Sequence, residues 1–134
     1  MSTSLLFVCT GNTCRSPMAE ALAEAQGVSA ESAGVSAAPG DGPAPNAERA
    51  LREARGLSLR PHTPRDVSEV NLLAAERVVA MSPAVARRLR EDHDVPPDVL
   101  VSWAVPDPYG GSRADYRWCL AEISAALDAL LASE

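Results

Sequence analysis

Ser4-Leu5-Leu6-Phe7-Val8-Cys9-Thr10-Gly11-Asn12-Thr13-Cys14-Arg15-Ser16-Pro17-Met18-Ala19-Glu20 is the stretch that sets the architecture. Ser4 to Val8 is a short apolar run with no helical period, and a turn containing Gly11 follows it, which is the pattern of a parallel strand buried on both faces. From Pro17 onward Met18, Ala21, Leu22 and Ala25 recur at helical spacing. Ser16 reads as the N-cap of that helix, Pro17 as its first residue and Gly27 as its stop. The alternation continues outward. Val28 to Val35 holds a second strand, Pro39 to Pro45 is a Pro- and Gly-rich loop, and Asn46 to Ala54 is helical, with Ala47, Ala50, Leu51 and Ala54 inward and Gly56 ending it. His62 and Pro64 precede a third helical stretch that ends near Ala75. Arg77 to Met81 is a strand, Ser82-Pro83 opens a helix over Val85 to Glu91, and Val99 to Trp103 is the last strand. Past a loop from Ala104 to Ser112, Tyr116, Leu120, Ile123, Leu127 and Leu130 form the apolar stripe of a closing helix. The expected fold class is α/β: one domain over residues 1–134, an open parallel four-stranded sheet with helices on both faces.

A chain of 134 residues, 46% of them hydrophobic, builds one core and is too short for two. The net charge is −6 and all twelve basic residues are Arg. With no concentrated basic patch, nucleic acid and anionic membranes are excluded as expected partners. The N-terminal run lacks the basic leader and the length of a signal or membrane helix, so a soluble, cytoplasmic monomer is expected. Three cysteines without a secretory signal argue for chemistry at a cysteine over a disulfide framework.

In open parallel sheets ligands bind beyond the carboxyl ends of the strands, and the first such turn is Cys9 to Ser16. Gly11 and Asn12 tolerate left-handed backbone angles, so the loop is able to curl until the N–H groups of Thr10, Gly11, Asn12, Thr13, Cys14 and Arg15 converge on one anion. The helix that follows directs its positive end at the same point. Arg15 adds a planar fork matched to two phosphate oxygens. These surroundings also favour the Cys9 thiolate, the nucleophilic form, and Ser16 is placed to donate a hydrogen bond to its sulfur. The bare spacing of a Cys and an Arg six residues on is weak, since a buried strand-end Cys and a surface Arg satisfy it too. The strand before, the Gly and Asn within and the Ser-Pro after carry the reading.

Val8-Cys9-Thr10-Gly11-Asn12-Thr13-Cys14-Arg15-Ser16-Pro17-Met18-Ala19-Glu20 resembles the signature of low-molecular-weight protein tyrosine phosphatases, a flavodoxin-like fold, and element order and length fit that family across nearly the whole chain. Asp107-Pro108-Tyr109 resembles the family's second landmark, an Asp-Pro-aromatic segment before the closing helix. From sequence alone Asp107 reads as an Asp-Pro turn; the resemblance makes it the general acid that protonates the leaving group, with Tyr109 in the substrate pocket. Pro108 stiffens that loop, while Gly110 and Gly111 permit it to close. The resemblance also offers Cys14 as the partner of Cys9 in a reversible disulfide, against a plain alternative in which Cys14 packs under the loop. Cys119 reads as core. His62 lies either near the pocket, as a histidine does in some relatives, or in a surface loop. Neither His62 nor His93 has ligand-like spacing to the cysteines, and no metal or cofactor is expected.

Substrate class rests on two departures from the tyrosine phosphatases. Thr13 stands where many of them carry Ile or Leu, and Gly110 where a second aromatic is frequent; both resemble the protein-arginine phosphatases. The Pro39 to Pro45 loop carries no aromatic ring to stack on a substrate. The expected activity is hydrolysis of phosphorylated protein or peptide, phosphoarginine ahead of phosphotyrosine, through a phosphocysteine. The alternatives are a phosphatase of a small phosphorylated metabolite, an arsenate reductase of similar fold, and a non-catalytic anion-binding module. Residues 76 to 95 hold none of the cysteines that the reductases use as a relay, and Cys9, Arg15 and Asp107 together argue for catalysis.

Overall fold

Leu5, Phe7 and Cys9 point to one face of the first strand and Leu6 and Val8 to the other, so an unbroken apolar run is what a strand covered on both sides requires. The computed structural model describes residues 4–37, 42–59 and 61–133. The elements are β1 (Ser4–Cys9), α1 (Arg15–Ala25), β2 (Ser29–Gly34), α2 (Pro45–Arg55), β3 (Arg77–Ala80), α3 (Pro83–His93), β4 (Leu100–Ser102) and α4 (Arg113–Ala132). The sheet has four parallel strands in the order β2-β1-β3-β4. Val8 is in register with Ala33 on one side and Ala80 on the other. Because β1 is central, its exit lies where the strand order reverses, and that is where this class of sheet binds ligands.

On one face Met18, Ala19 and Leu22 of α1, Ala50 and Leu51 of α2 and Ile123 and Leu127 of α4 close over Leu5 and Phe7. On the other, Val85, Ala86 and Leu89 of α3, with Val67, cover Leu6 and Val8. Of the expected closing-helix stripe, Tyr116, Leu120, Ile123 and Leu127 are buried and Leu130 is partly buried against them.

Three boundaries differ from the sequence reading. Helix α1 starts at Arg15, with Cys14 and not Ser16 in the N-cap position. The Ser16 hydroxyl is engaged inside the loop, and Pro17 falls within the first turn, where an N–H has no helical partner to lose. The helical stretch expected before Ala75 is two single turns of 3-10 helix, Val67–Glu69 and Leu72–Ala74. Asp66 and Asn71 each accept the backbone N–H two residues on, which favours short turns over a continued helix. Of the loop expected over 39–45, residues 39–41 lie outside the described residues, and Pro45 is already the first residue of α2.

Candidate active site

The loop after β1 is built from three separate parts of the chain. Asn12 takes the left-handed conformation at φ 57°, and its side chain is fully buried and fully used. Nδ2 donates to Ser16 Oγ and to Ser32 Oγ, both at 2.9 Å, and Oδ1 accepts from the Arg65 N–H at 2.9 Å. Ser32 in turn donates to Glu20 Oε1. The Asn12 carbonyl accepts from His62 Nε2 at 2.8 Å, which fixes the tautomer with the proton on Nε2. Of the two readings left open for His62, contact with the loop is the one observed. Gly34, at the end of β2, runs directly behind the loop: a Cβ there would lie 2.5 Å from the Thr10 carbonyl oxygen and 3.0 Å from the Asn12 nitrogen. Only a residue without a side chain lets the two backbones come so close.

Cys9 Sγ sits at the centre of this scaffold, and the residue is 2% exposed. It accepts the Asn12 N–H at 3.2 Å and lies 2.9 Å from Ser16 Oγ. Ser16 already accepts from Asn12, and its own proton is shared between the sulfur at 2.9 Å and the more distant Ala33 carbonyl at 3.4 Å. Arg15 is 4% exposed and anchored by Nη1 to the Val105 carbonyl at 3.1 Å. The other edge of the guanidinium is loosely held: Nη2 lies 3.5 Å from Thr10 Oγ1 and 3.6 Å from Asp107 Oδ2, and among the described residues the buried Nε has no hydrogen-bond partner. An Nε/Nη2 edge of that kind suits two oxygens of one tetrahedral anion.

Asp107 reaches the same place from the segment between β4 and α4. Oδ1 accepts the Tyr109 N–H at 3.1 Å and faces Cys14 Sγ at 3.8 Å. Its side chain is 47% exposed, so it stands at the mouth while Arg15 is buried below. Cys9, Thr10, Gly11, Thr13, Cys14, Arg15, Asp107, Tyr109 and Ser36 line a cavity of about 250 Å³. The loop residues and the aspartate segment singled out in the sequence therefore converge. Thr13 and Tyr109 also border an adjoining cleft of about 600 Å³ walled by Pro43, Ala44, Asn46 and Tyr116. Gly110 belongs to that cleft. Its φ of 77°, with open space around the Cβ position, shows a backbone reason for glycine apart from the width of any pocket.

The two loop cysteines differ in character. Burial, then the Cys9 and Asp107 charges, push the Cys14 thiol up to about 12, so near neutrality it is a thiol. Burial likewise takes Cys119 to about 12, in the core between α4 and the Pro106 carbonyl. Ser32, Gly34, Ser36 and Arg65 were not singled out in the sequence. Only Gly34 carried a signal, a glycine near the end of an expected strand.

A parallel sheet that delivers a cysteine and an arginine on one loop, with an aspartate at its mouth, defines a cysteine-dependent phosphatase of flavodoxin-like fold. Residues 4–133 match the model of the family described as low molecular weight phosphotyrosine protein phosphatase. The chain belongs to that family and is a hydrolase of it. It is 36% identical to a protein-arginine-phosphatase of Geobacillus stearothermophilus, over 94% of this chain and 92% of that one. Among solved structures, a low molecular weight protein tyrosine phosphatase from T. tengcongensis is 33% identical with a TM-score of 0.91, covering 99% of this chain and all of the other. A YwlE arginine phosphatase mutant with a phosphorylated active site serine is 34% identical with a TM-score of 0.84, covering 93% and 91%. Among the described residues no helix is long and apolar enough to cross a membrane.

Proposed function

We propose that this chain is a protein phosphatase with phosphoarginine as its preferred substrate and phosphotyrosine as a second, and that a phosphocysteine at Cys9 is its intermediate. The observation that carries the chemistry is the pairing of Cys9 Sγ, which receives a loop N–H and lies 2.9 Å from a serine hydroxyl, with the buried Nε of Arg15, unpartnered among the described residues, in one small cavity. The Cys9 thiolate attacks phosphorus; the S–P bond forms as the P–N or P–O bond to the substrate breaks, and Asp107 gives its proton to the leaving atom. Water then attacks the phosphocysteine, Asp107 takes a proton back, and inorganic phosphate leaves with the thiolate restored. Arg15 and the amides of residues 10 to 15 hold the equatorial oxygens throughout, a type of stabilisation in which one donor contributes about 10²-fold or more. The phosphorylated serine in a YwlE arginine phosphatase mutant supports a covalent step of this kind. The scheme uses no metal or cofactor.

Thr13 supports the preference for phosphoarginine. It lines the cavity where a branched aliphatic side chain would narrow the approach of a planar guanidinium, and the protein-arginine-phosphatase relative spans nearly the whole chain. The adjoining cleft of about 600 Å³ favours a polypeptide over a small phosphorylated metabolite. We further place the enzyme in the cytoplasm, as a monomer of one catalytic domain. The test is initial rates on matched phosphoarginine and phosphotyrosine peptides for the wild type, Thr13→Ile and Cys9→Ser. Phosphoarginine is expected to win in the wild type and lose in Thr13→Ile, with Cys9→Ser inactive on both while still folded. Phosphotyrosine winning in both active forms would overturn the preference, and turnover by Cys9→Ser would overturn the nucleophile.

A further inference from the structure

Ser36 lines the catalytic cavity from outside the Cys9–Ser16 loop. It follows β2, with its N–H donated to the Thr10 carbonyl at 2.9 Å, so its backbone is fixed to the loop. Its Oγ accepts from Arg88 Nη1 at 2.9 Å, and Arg88 Nη2 donates to the Val35 carbonyl at 3.2 Å. Arg88 belongs to α3, which packs on the opposite face of the sheet from α1, and these two bonds hold its guanidinium beside Ser36, one residue back from the cavity lining. They use one N–H on each terminal nitrogen of a group that carries five. The Asp92 carboxylate, one turn along α3, stands 3.7 Å from Arg88 Nε, and both side chains are about half exposed. Having accepted from Arg88, the Ser36 hydroxyl has its own proton to give elsewhere.

Resting on the phosphatase reading above, we propose that Ser36 and Arg88 form a subsite for a carboxylate side chain of the substrate polypeptide, next to the phosphorylated residue. The phosphoryl group itself is provided for by the loop amides and Arg15, so the Arg88 guanidinium behind Ser36 is left to a second anion. A planar guanidinium and a neighbouring hydroxyl together match the two oxygens of a carboxylate. Acidic groups stand on both sides of the mouth: Asp92 faces Arg88, and the Asp66 carboxylate accepts the Ala37 N–H next to Ser36, so Arg88 is the cation that offsets them there. On the Tyr109 side stand Asp107 and Asp115, and the chain as a whole carries −6. A substrate carboxylate is repelled there and drawn to Arg88, so the subsite also fixes the direction in which the polypeptide lies across the cavity. Asp92 competes for the same cation and weakens the subsite without closing it, its separation from Nε being longer than a hydrogen bond.

The test uses phosphopeptides identical except for Glu, Gln or Arg immediately before or after the phosphorylated residue, assayed with the wild type, Arg88→Gln, Ser36→Ala and Asp92→Asn. The Glu/Gln ratio of kcat/KM within each enzyme cancels any general loss of folded protein. In the wild type Glu is expected to exceed Gln by about fivefold at one of the two positions, through KM and less so at high salt. Arg88→Gln and Ser36→Ala bring the ratio close to one, and Asp92→Asn widens it. A wild-type ratio of one at both positions, or a ratio that survives Arg88→Gln, overturns the subsite. Wild-type hydrolysis of p-nitrophenyl phosphate separates the two levels: activity there with a flat ratio removes only the subsite, whereas no activity removes the phosphatase reading beneath it.

Discussion

Asn12 and Gly34 decide whether the rest of the loop works. Asn12 adopts a left-handed angle that costs an asparagine less than most residues, and every polar atom of its buried side chain has a partner. Gly34 supplies the space behind it. Gly34→Ala would set a Cβ 2.5 Å from the Thr10 carbonyl oxygen, and neither backbone is able to yield without moving the amides that face the cavity. Displacement of that order costs about 10²-fold in rate when a site depends on positioning. The expected outcome is a large fall in kcat with a circular dichroism spectrum like the wild type, and unchanged kcat would mean that the loop tolerates the shift. That Cys9 and Arg15 share one cavity was legible because they belong to one contiguous motif, whereas Asp107 alone read as an Asp-Pro turn and only the resemblance to the family's second landmark directed it there. Ser32, Ser36 and Arg65 were not legible, because each reaches the loop from a distant part of the chain through a single hydrogen bond that leaves no local pattern. Cys14 carries a further consequence. With its thiol at about 12, its thiolate fraction rises about tenfold per pH unit near neutrality. If it resolves an oxidised Cys9, disulfide formation after a peroxide pulse should be about tenfold faster at pH 8 than at pH 7 by mass spectrometry. Absence of any Cys9–Cys14 disulfide at either pH would assign Cys14 to packing alone.

Element by element, the strands and long helices could be read because burial enforces their periods. The β1 run had to be apolar on both faces, and the α4 stripe had to repeat along a helix that covers α1 and α2. The stretch from 65 to 75 was misread because its register is set by Asp66 and Asn71, whose side chains bond to backbone N–H groups in a way that a hydrophobic pattern does not record. The start of α1 was misplaced for a related reason, since Ser16 has the composition of a cap but engages its hydroxyl with Cys9, Asn12 and the Ala33 carbonyl. Ser112, by contrast, does cap a helix. Its Oγ accepts the Asp115 N–H at 3.2 Å while Asp115 Oδ2 accepts the Ser112 N–H at 2.9 Å, a reciprocal pair at the point where the Asp107 segment enters α4. Ser112→Ala should cost about 1 kcal/mol in urea unfolding. A loss within a few tenths of zero would show that packing of α4 alone sets its start.

For the whole molecule, the buried thiols make stability depend on alkaline pH. Cys119 is 1% exposed, and burial raises its thiol from an ordinary 9.0 to about 12. Between those values the unfolded chain gives up the proton and the folded chain keeps it, so the folded state binds more protons and stability falls as pH rises. The contribution is fully present below pH 9, is eroded from pH 9 upward, and is gone once the folded thiol ionises near pH 12. At pH 10.5 the erosion from one such thiol amounts to about 2 kcal/mol. Cys14 contributes in the same direction, and every other titrating group is common to the wild type and Cys119→Ala. Urea unfolding under reducing conditions at pH 8 and pH 10.5 therefore isolates the Cys119 share. Cys119→Ala should be less stable than the wild type at pH 8, because it leaves a small cavity beneath Pro106, yet lose about 2 kcal/mol less on going to pH 10.5. Parallel losses in the two proteins would mean that the Cys119 thiol ionises as readily in the folded core as in the unfolded chain, and that water reaches the space between α4 and the Asp107 segment.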